Sequence, residues 1–186
     1  MKGTVTYYAA PGKANTLPTL EIAKERALEA GIKTVILSSS GGYTASKALE
    51  VFKETEVKLI VVGFKNRFPE ELAERLKRSG HEVLFPGDYE FQHPGEAWEL
   101  LRRFGEGMKV SVQGVLMATE VGMVEAGEEV ISLGGTGTIE YEAGGGVDTA
   151  IVMEAVKGEG FFQIDLPPGQ KKMEGRKIKE LLCKPR

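Results

Sequence analysis

Cysteine is nearly absent from this chain of 186 residues, which carries only Cys183, and histidine is almost as scarce, at His81 and His93. A single thiol cannot build a disulfide frame, and its apolar neighbourhood reads as a reduced, structural cysteine, so a cytoplasmic location is the expectation. The two histidines have no cysteine or carboxylate at ligand spacing, so no metal site is indicated. Nowhere do 18 apolar residues run together, and the first residues carry no apolar leader, which argues against membrane spanning and secretion. An excess of positive charge is lacking too. There are 24 Lys plus Arg against 27 Asp plus Glu, a net charge of −3, which leaves no electrostatic footprint for nucleic acid. Basic residues gather only near the end, at Lys171, Lys172, Arg176, Lys177, Lys179, Lys184 and Arg186. Without aromatic stacking partners they read as a solvated face.

What remains is a soluble α/β pattern. One domain over residues 1–186 is expected, able to bury about 70% of its unfolded surface. Strand signals fall at Val5–Tyr8, Thr34–Leu37, Lys58–Val62, Glu82–Phe85, Glu129–Leu133 and Thr149–Val156. Between them the apolar spacing predicts helices over Thr16–Ala30, Pro69–Ser79 and Pro94–Phe104, each closed by a glycine just beyond or near its end. Residues Met108–Val124 fit strand alternation in part, but seventeen residues is long for a strand and helix is the better reading. Alternating elements of this size specify a mostly parallel sheet with helices on both faces, and ligands of such sheets collect at the carboxyl ends of the strands.

The segment Thr34 to Leu49 is the most informative. Val35, Ile36 and Leu37 suit a buried strand, and Ala45, Ala48, Leu49 and Phe52 recur at helical spacing. Ser38, Ser39, Ser40, Gly41, Gly42, Tyr43 and Thr44 therefore form a turn that opens a helix. Free amides at a helix start, glycines that admit close approach and a row of hydroxyls suit a phosphate. The plainer alternative is a tight turn capped by Ser40 or Thr44. No Gly-Lys-Ser/Thr follows, and Lys47 lies inside the helix, so this is not a nucleotide-triphosphate loop. A second candidate wall is Gly134-Gly135-Thr136-Gly137-Thr138, followed by Gly144-Gly145-Gly146 and Asp148-Thr149. It reads equally as a flexible hairpin or as backbone lining a ligand.

These residues carry a resemblance. Ala30 to Ser38 with Gly42-x-Thr-Ala, the run Glu128 to Gly135, and Val147 to Val152 resemble the carboxyl-terminal domain of pyruvate kinase, whose last strand is antiparallel and whose two loops hold a phosphorylated sugar. The catalytic barrel of that enzyme is absent, so its activity is not expected. Pro11-Gly-x-x-Asn15-Thr16, Ser39-Ser40, Met117-Ala118-x-Glu120-x-Gly122 and Asp148-Thr149-Ala150 are similar to a stand-alone archaeal and bacterial family of the same fold. The resemblance implies a three-layer α/β/α architecture, a mostly parallel sheet and flavin mononucleotide (FMN) as ligand.

On that reading Ser39, Ser40, Gly42, Tyr43 and Thr44 take the phosphate. Asn15 and Thr16 reach the ribityl chain or ring, with helix capping the alternative for Asn15. Gly63 and Phe64 form a wall for the ring. Gly134, Gly135, Asp148 and Thr149 complete the rim, unless Asp148 merely anchors a turn. Tyr43, His93 and Glu120 are conceivable acid–base groups, but each reads better as structural, so no catalytic residue is assigned and enzymatic activity stays open. A module that senses a sugar phosphate or nucleotide without chemistry is the alternative, and homo-oligomer formation is left open.

Overall fold

The computed structural model describes residues 3–91, 95–137, 145–162 and 177–186. His93, Pro94, Thr138, Gly144, Lys171, Lys172 and Arg176 lie outside these. The described elements are β1 (Thr6–Tyr8), α1 (Thr16–Ala30), β2 (Thr34–Ser38), α2 (Tyr43–Val51), β3 (Lys58–Val62), α3 (Glu70–Arg78), β4 (Glu82–Leu84), α4 (Gly95–Arg102), α5 (Glu106–Glu120), β5 (Glu129–Gly134), β6 (Thr149–Glu154), α6 (Gly158–Phe162) and β7 (Ile178–Pro185).

The seven strands form one sheet in the order β1-β7-β6-β5-β2-β3-β4. Pairing is parallel from β5 through β2 and β3 to β4, and parallel again between β1 and β7, whereas β6 runs antiparallel to both of its neighbours. The expected antiparallel strand at Thr149 is therefore there, but it is not the last.

Strand alternation sorts the core into two layers. Val35, Leu37, Leu59 and Val61 face α1, α2 and α3 with Leu20, Ala23, Ala48 and Leu76. Ile36, Ile60, Val130 and Ile151 face the other way, with Val112, Val115 and Leu116 of α5. Helices on both faces hide the sheet, which is why its central strands are apolar on both sides.

The basic end is a strand as well as a solvated face. Ile178 to Pro185 form an interior strand between β1 and β6, with Leu182 and Cys183 buried. Its lysines point to water and pair there. Lys177 meets Glu154 and Lys179 meets Glu129, each at 2.6 Å. Cys183 is buried as expected, and burial pushes its thiol above the usual range. Beside it, burial likewise pushes the Tyr8 phenol up, while its hydroxyl shares a 3.0 Å hydrogen bond with Thr19.

Candidate functional site

The strand order reverses between β2 and β5. From β2 the chain steps outward to β3 and β4, then returns through α4 and α5 to lay β5 on the opposite side of β2. The loops after β2 and β5 consequently part, and a cleft of about 380 Å³ opens at the carboxyl edge of the sheet. Small-molecule sites fall in the range of roughly 300–1,000 Å³.

One end of the cleft is the turn from β2 into α2. Ser38, Ser39, Ser40, Gly41, Tyr43 and Thr44 all line it. Ser39 is the organiser of this turn. Its amide donates to the Val62 carbonyl at 2.8 Å, and its Oγ accepts from the Ala45 amide at 3.1 Å, which caps α2 from outside. The first helical bond of α2 is Ser46 N–H to the Gly42 carbonyl, so the Tyr43 and Thr44 amides precede it and remain directed out of the helix start. Gly42 does not line the cleft. At φ +89 it turns its back on it, and a side chain there would strike Leu72 and Pro69. Gly41 is the residue that faces the opening, with room for a Cβ, its nearest neighbour being the Arg67 carbonyl at 3.9 Å.

Beside this turn the lining is apolar. Gly63 and Phe64 follow β3, and Val62, Pro86, Val110 and Met117 join them. Phe64 is 53% exposed, while its amide is fixed to the Ser40 carbonyl at 3.2 Å. Gly63 is obligatory, because a Cβ would overlap the Phe68 ring that packs beneath the turn. Ser132 forms part of the floor, its Oγ donating to the Ser111 carbonyl at 2.8 Å.

The third wall was only partly legible. Gly135, Gly137, Gly145 and Gly146 line it, while Gly134 lies beneath, against α5. Gly135 and Gly146 meet backbone to backbone, and Gly146 presses on Lys13 and Thr16. Thr16 is fully buried, and among the described residues its Oγ1 has no hydrogen-bond partner. Asn15 does not line the cleft either. Its Nδ2 donates to the Ala10 carbonyl at 2.8 Å, and it makes no side-chain cap to α1. Asp148 and Thr149 are likewise behind the wall. Asp148 accepts from the Gly12 amide at 2.9 Å, the Thr136 amide at 3.1 Å and the Thr136 hydroxyl at 2.8 Å, so one buried carboxylate ties three loops together. Thr149 adds its hydroxyl to the same carboxylate at 3.2 Å.

Sequence reasoning missed the contribution of α5. Glu106, Lys109, Val110, Gln113, Gly114 and Met117 fall on one helical stripe and line the cleft. That spacing could have marked the face, had the helix been placed beside β2. Lys109 holds Glu106 at 2.9 Å, with side chains 14% and 22% exposed, and Arg102 grips the same carboxylate at 2.7 Å. Burial pushes the Glu106 carboxyl up, yet Lys109 and Arg102 together hold it below the usual carboxylate range. A second cation stands at the rim, the Lys13 ammonium lying 4.0 Å from the centre of the Tyr43 ring. Glu120 sits at the far end of α5, away from the cleft-lining first turns. Among the described residues no cluster of metal-ligating side chains occurs, and no helix is long and apolar enough to cross a membrane.

No family model matches the chain. Among solved structures it is similar to two pyruvate kinase chains from Cryptosporidium parvum. One superposes with a TM-score of 0.45 at 17% identity and covers 77% of this chain and 23% of that one. The other, described in complex with ADP, gives 0.46 at 19% identity, covering 77% and 24%. This chain thus spans about a quarter of the length of those it matches. Both are described as pyruvate kinases.

Proposed function

We propose that the chain binds a phosphorylated small molecule with a planar apolar portion, and that FMN is such a ligand. The observation that carries this reading is the mixed lining of the cleft. The turn that opens α2 brings Ser40, Gly41, Tyr43 and Thr44 to it, and Val62, Phe64, Pro86, Val110 and Met117 line the same cleft, with Phe64 tied to Ser40 through its amide. A phosphate monoester is a dianion that accepts from helix-start amides, each such charge-assisted bond contributing roughly 1.5–3 kcal/mol. A flat aromatic ring system suits the apolar part of the lining, where Phe64 is exposed. Lys13 and Lys109 supply positive charge on two sides, although Glu106 offsets part of the second.

Bound flavin supplies hydride chemistry through its own ring. The part of this chain is to hold the phosphate, orient the ring and keep water from the apolar part of the lining. No side chain of the cleft is assigned a proton-transfer role.

The test is a titration of the purified chain with FMN, followed by flavin fluorescence, beside a thermal-shift series with a sugar bisphosphate. Saturable FMN binding, with riboflavin at least tenfold weaker, is the expected result. A chain that ignores FMN but is stabilised by the sugar bisphosphate would instead be a sensing module.

A further inference from the structure

A second cleft, of about 290 Å³, lies beside the turn from α4 into α5 and the end of β7. Four cations line it, Arg102, Arg103, Lys184 and Arg186, with Thr136 and Thr149, and no carboxylate side chain is among its lining residues. The cations come from two stretches of chain far apart in sequence, 102–103 and 184–186, so their convergence is a product of the fold rather than of a basic run. It is β7, inserted between β1 and β6, that delivers Lys184, and Arg186 follows its last residue with its amide on the Tyr8 carbonyl at 3.1 Å.

The state of each cation separates structural from available charge. Arg102 is committed, at 2.6 Å to Glu99 and 2.7 Å to Glu106. Lys184 is positioned by the Phe104 carbonyl at 3.0 Å, which occupies one of its three N–H groups. Arg103 and Arg186 meet no carboxylate within ion-pairing distance among the described residues. Gathering like charges in one concavity costs self-repulsion and focuses positive potential there, and an anion relieves both. Guanidinium groups present planar forks that match phosphate oxygens.

We infer that this basic cleft is a binding site for a small polyanion of pyrophosphate size, held by Arg103, Lys184 and Arg186. It is separate from the first cleft: Thr136 and Thr149 belong to its wall, whereas Gly135 and Gly146 belong to the other. Its existence does not depend on the FMN reading.

Calorimetric titration of the full chain with pyrophosphate tests it. Gly41→Asp places a carboxylate in the first cleft and removes binding there, and Arg103→Ser with Arg186→Ser removes two exposed cations with little consequence for folding, checked by circular dichroism. The expected result is that the Gly41→Asp chain retains one pyrophosphate equivalent and that adding the two serines weakens it at least tenfold. Loss of all pyrophosphate binding in Gly41→Asp, or retained binding that the serines leave unchanged, would overturn the inference. If Gly41→Asp instead leaves the stoichiometry of the parent chain unaltered, the phosphate role of the α2 turn fails, and the serine pair still decides the basic cleft.

Discussion

At the scale of the residue, the charge in the first cleft is set by a three-member chain. Arg102 and Lys109 share Glu106, so Lys109 presents less than a full positive charge to a bound phosphate. Glu106→Gln keeps the shape and one hydrogen-bonding oxygen while removing the negative charge. FMN affinity is expected to rise roughly three- to tenfold, about 1 kcal/mol, with riboflavin affinity unchanged. Weaker FMN binding, or an equal change for both ligands, would show that Lys109 does not face the phosphate. Individual roles were unevenly legible in the sequence. The place of Ser40 and Thr44 at the turn that opens α2 could be read from the switch between strand and helix spacing. For Asp148 the sequence left two readings, rim or turn anchor, and the structure has it tying loops, with partners at Gly12 and Thr136 that no local pattern names.

At the scale of the element, α5 fixes the width of the cleft by how closely it approaches the sheet. Gly107, Ser111 and Gly114 form the contact stripe. A Cβ on Gly107 would overlap the Thr149 side chain, while one on Gly114 would meet Ile36 Cγ2 at 3.3 Å. Gly107→Ala is expected to lower stability by about 1–3 kcal/mol through overpacking, with urea unfolding as the measurement. Gly114→Ala is expected to stay within about 1 kcal/mol of the parent, since the alanine gains helix propensity against a mild steric cost. Equal stability of the two variants would place α5 further from β6 than described.

Most elements were readable because their periodicity is local, and α1 spans Thr16–Ala30 in both sequence pattern and structure. The strand β7 was not. Its pairing with β6 shifts register between Ala150 and Ile151, opposite Cys183 and Leu181, so Leu182 is an extra residue and the apolar run Leu181-Leu182-Cys183 breaks the alternation that marks a strand. The lysines around it then suggested solvent rather than sheet.

At the scale of the whole molecule, the cleft depends on the strand order, which no local pattern encodes. Only because β5 returns to the side of β2 do the Ser38–Thr44 turn, the glycine-lined wall and the α5 stripe enclose one cleft. Sequence reasoning pointed to the carboxyl edge of the sheet as the place for a ligand. Which loops would share that edge was settled by long-range pairing. The most direct measurement is the ratio of FMN to riboflavin affinity in the parent chain and in Gly41→Asp, because the two ligands differ only in the phosphate. The expected ratio is at least tenfold in the parent, collapsing toward unity in the variant while riboflavin affinity holds. Equal affinities for FMN and riboflavin in the parent chain, or a preference that survives Gly41→Asp, would contradict a phosphate site at the start of α2.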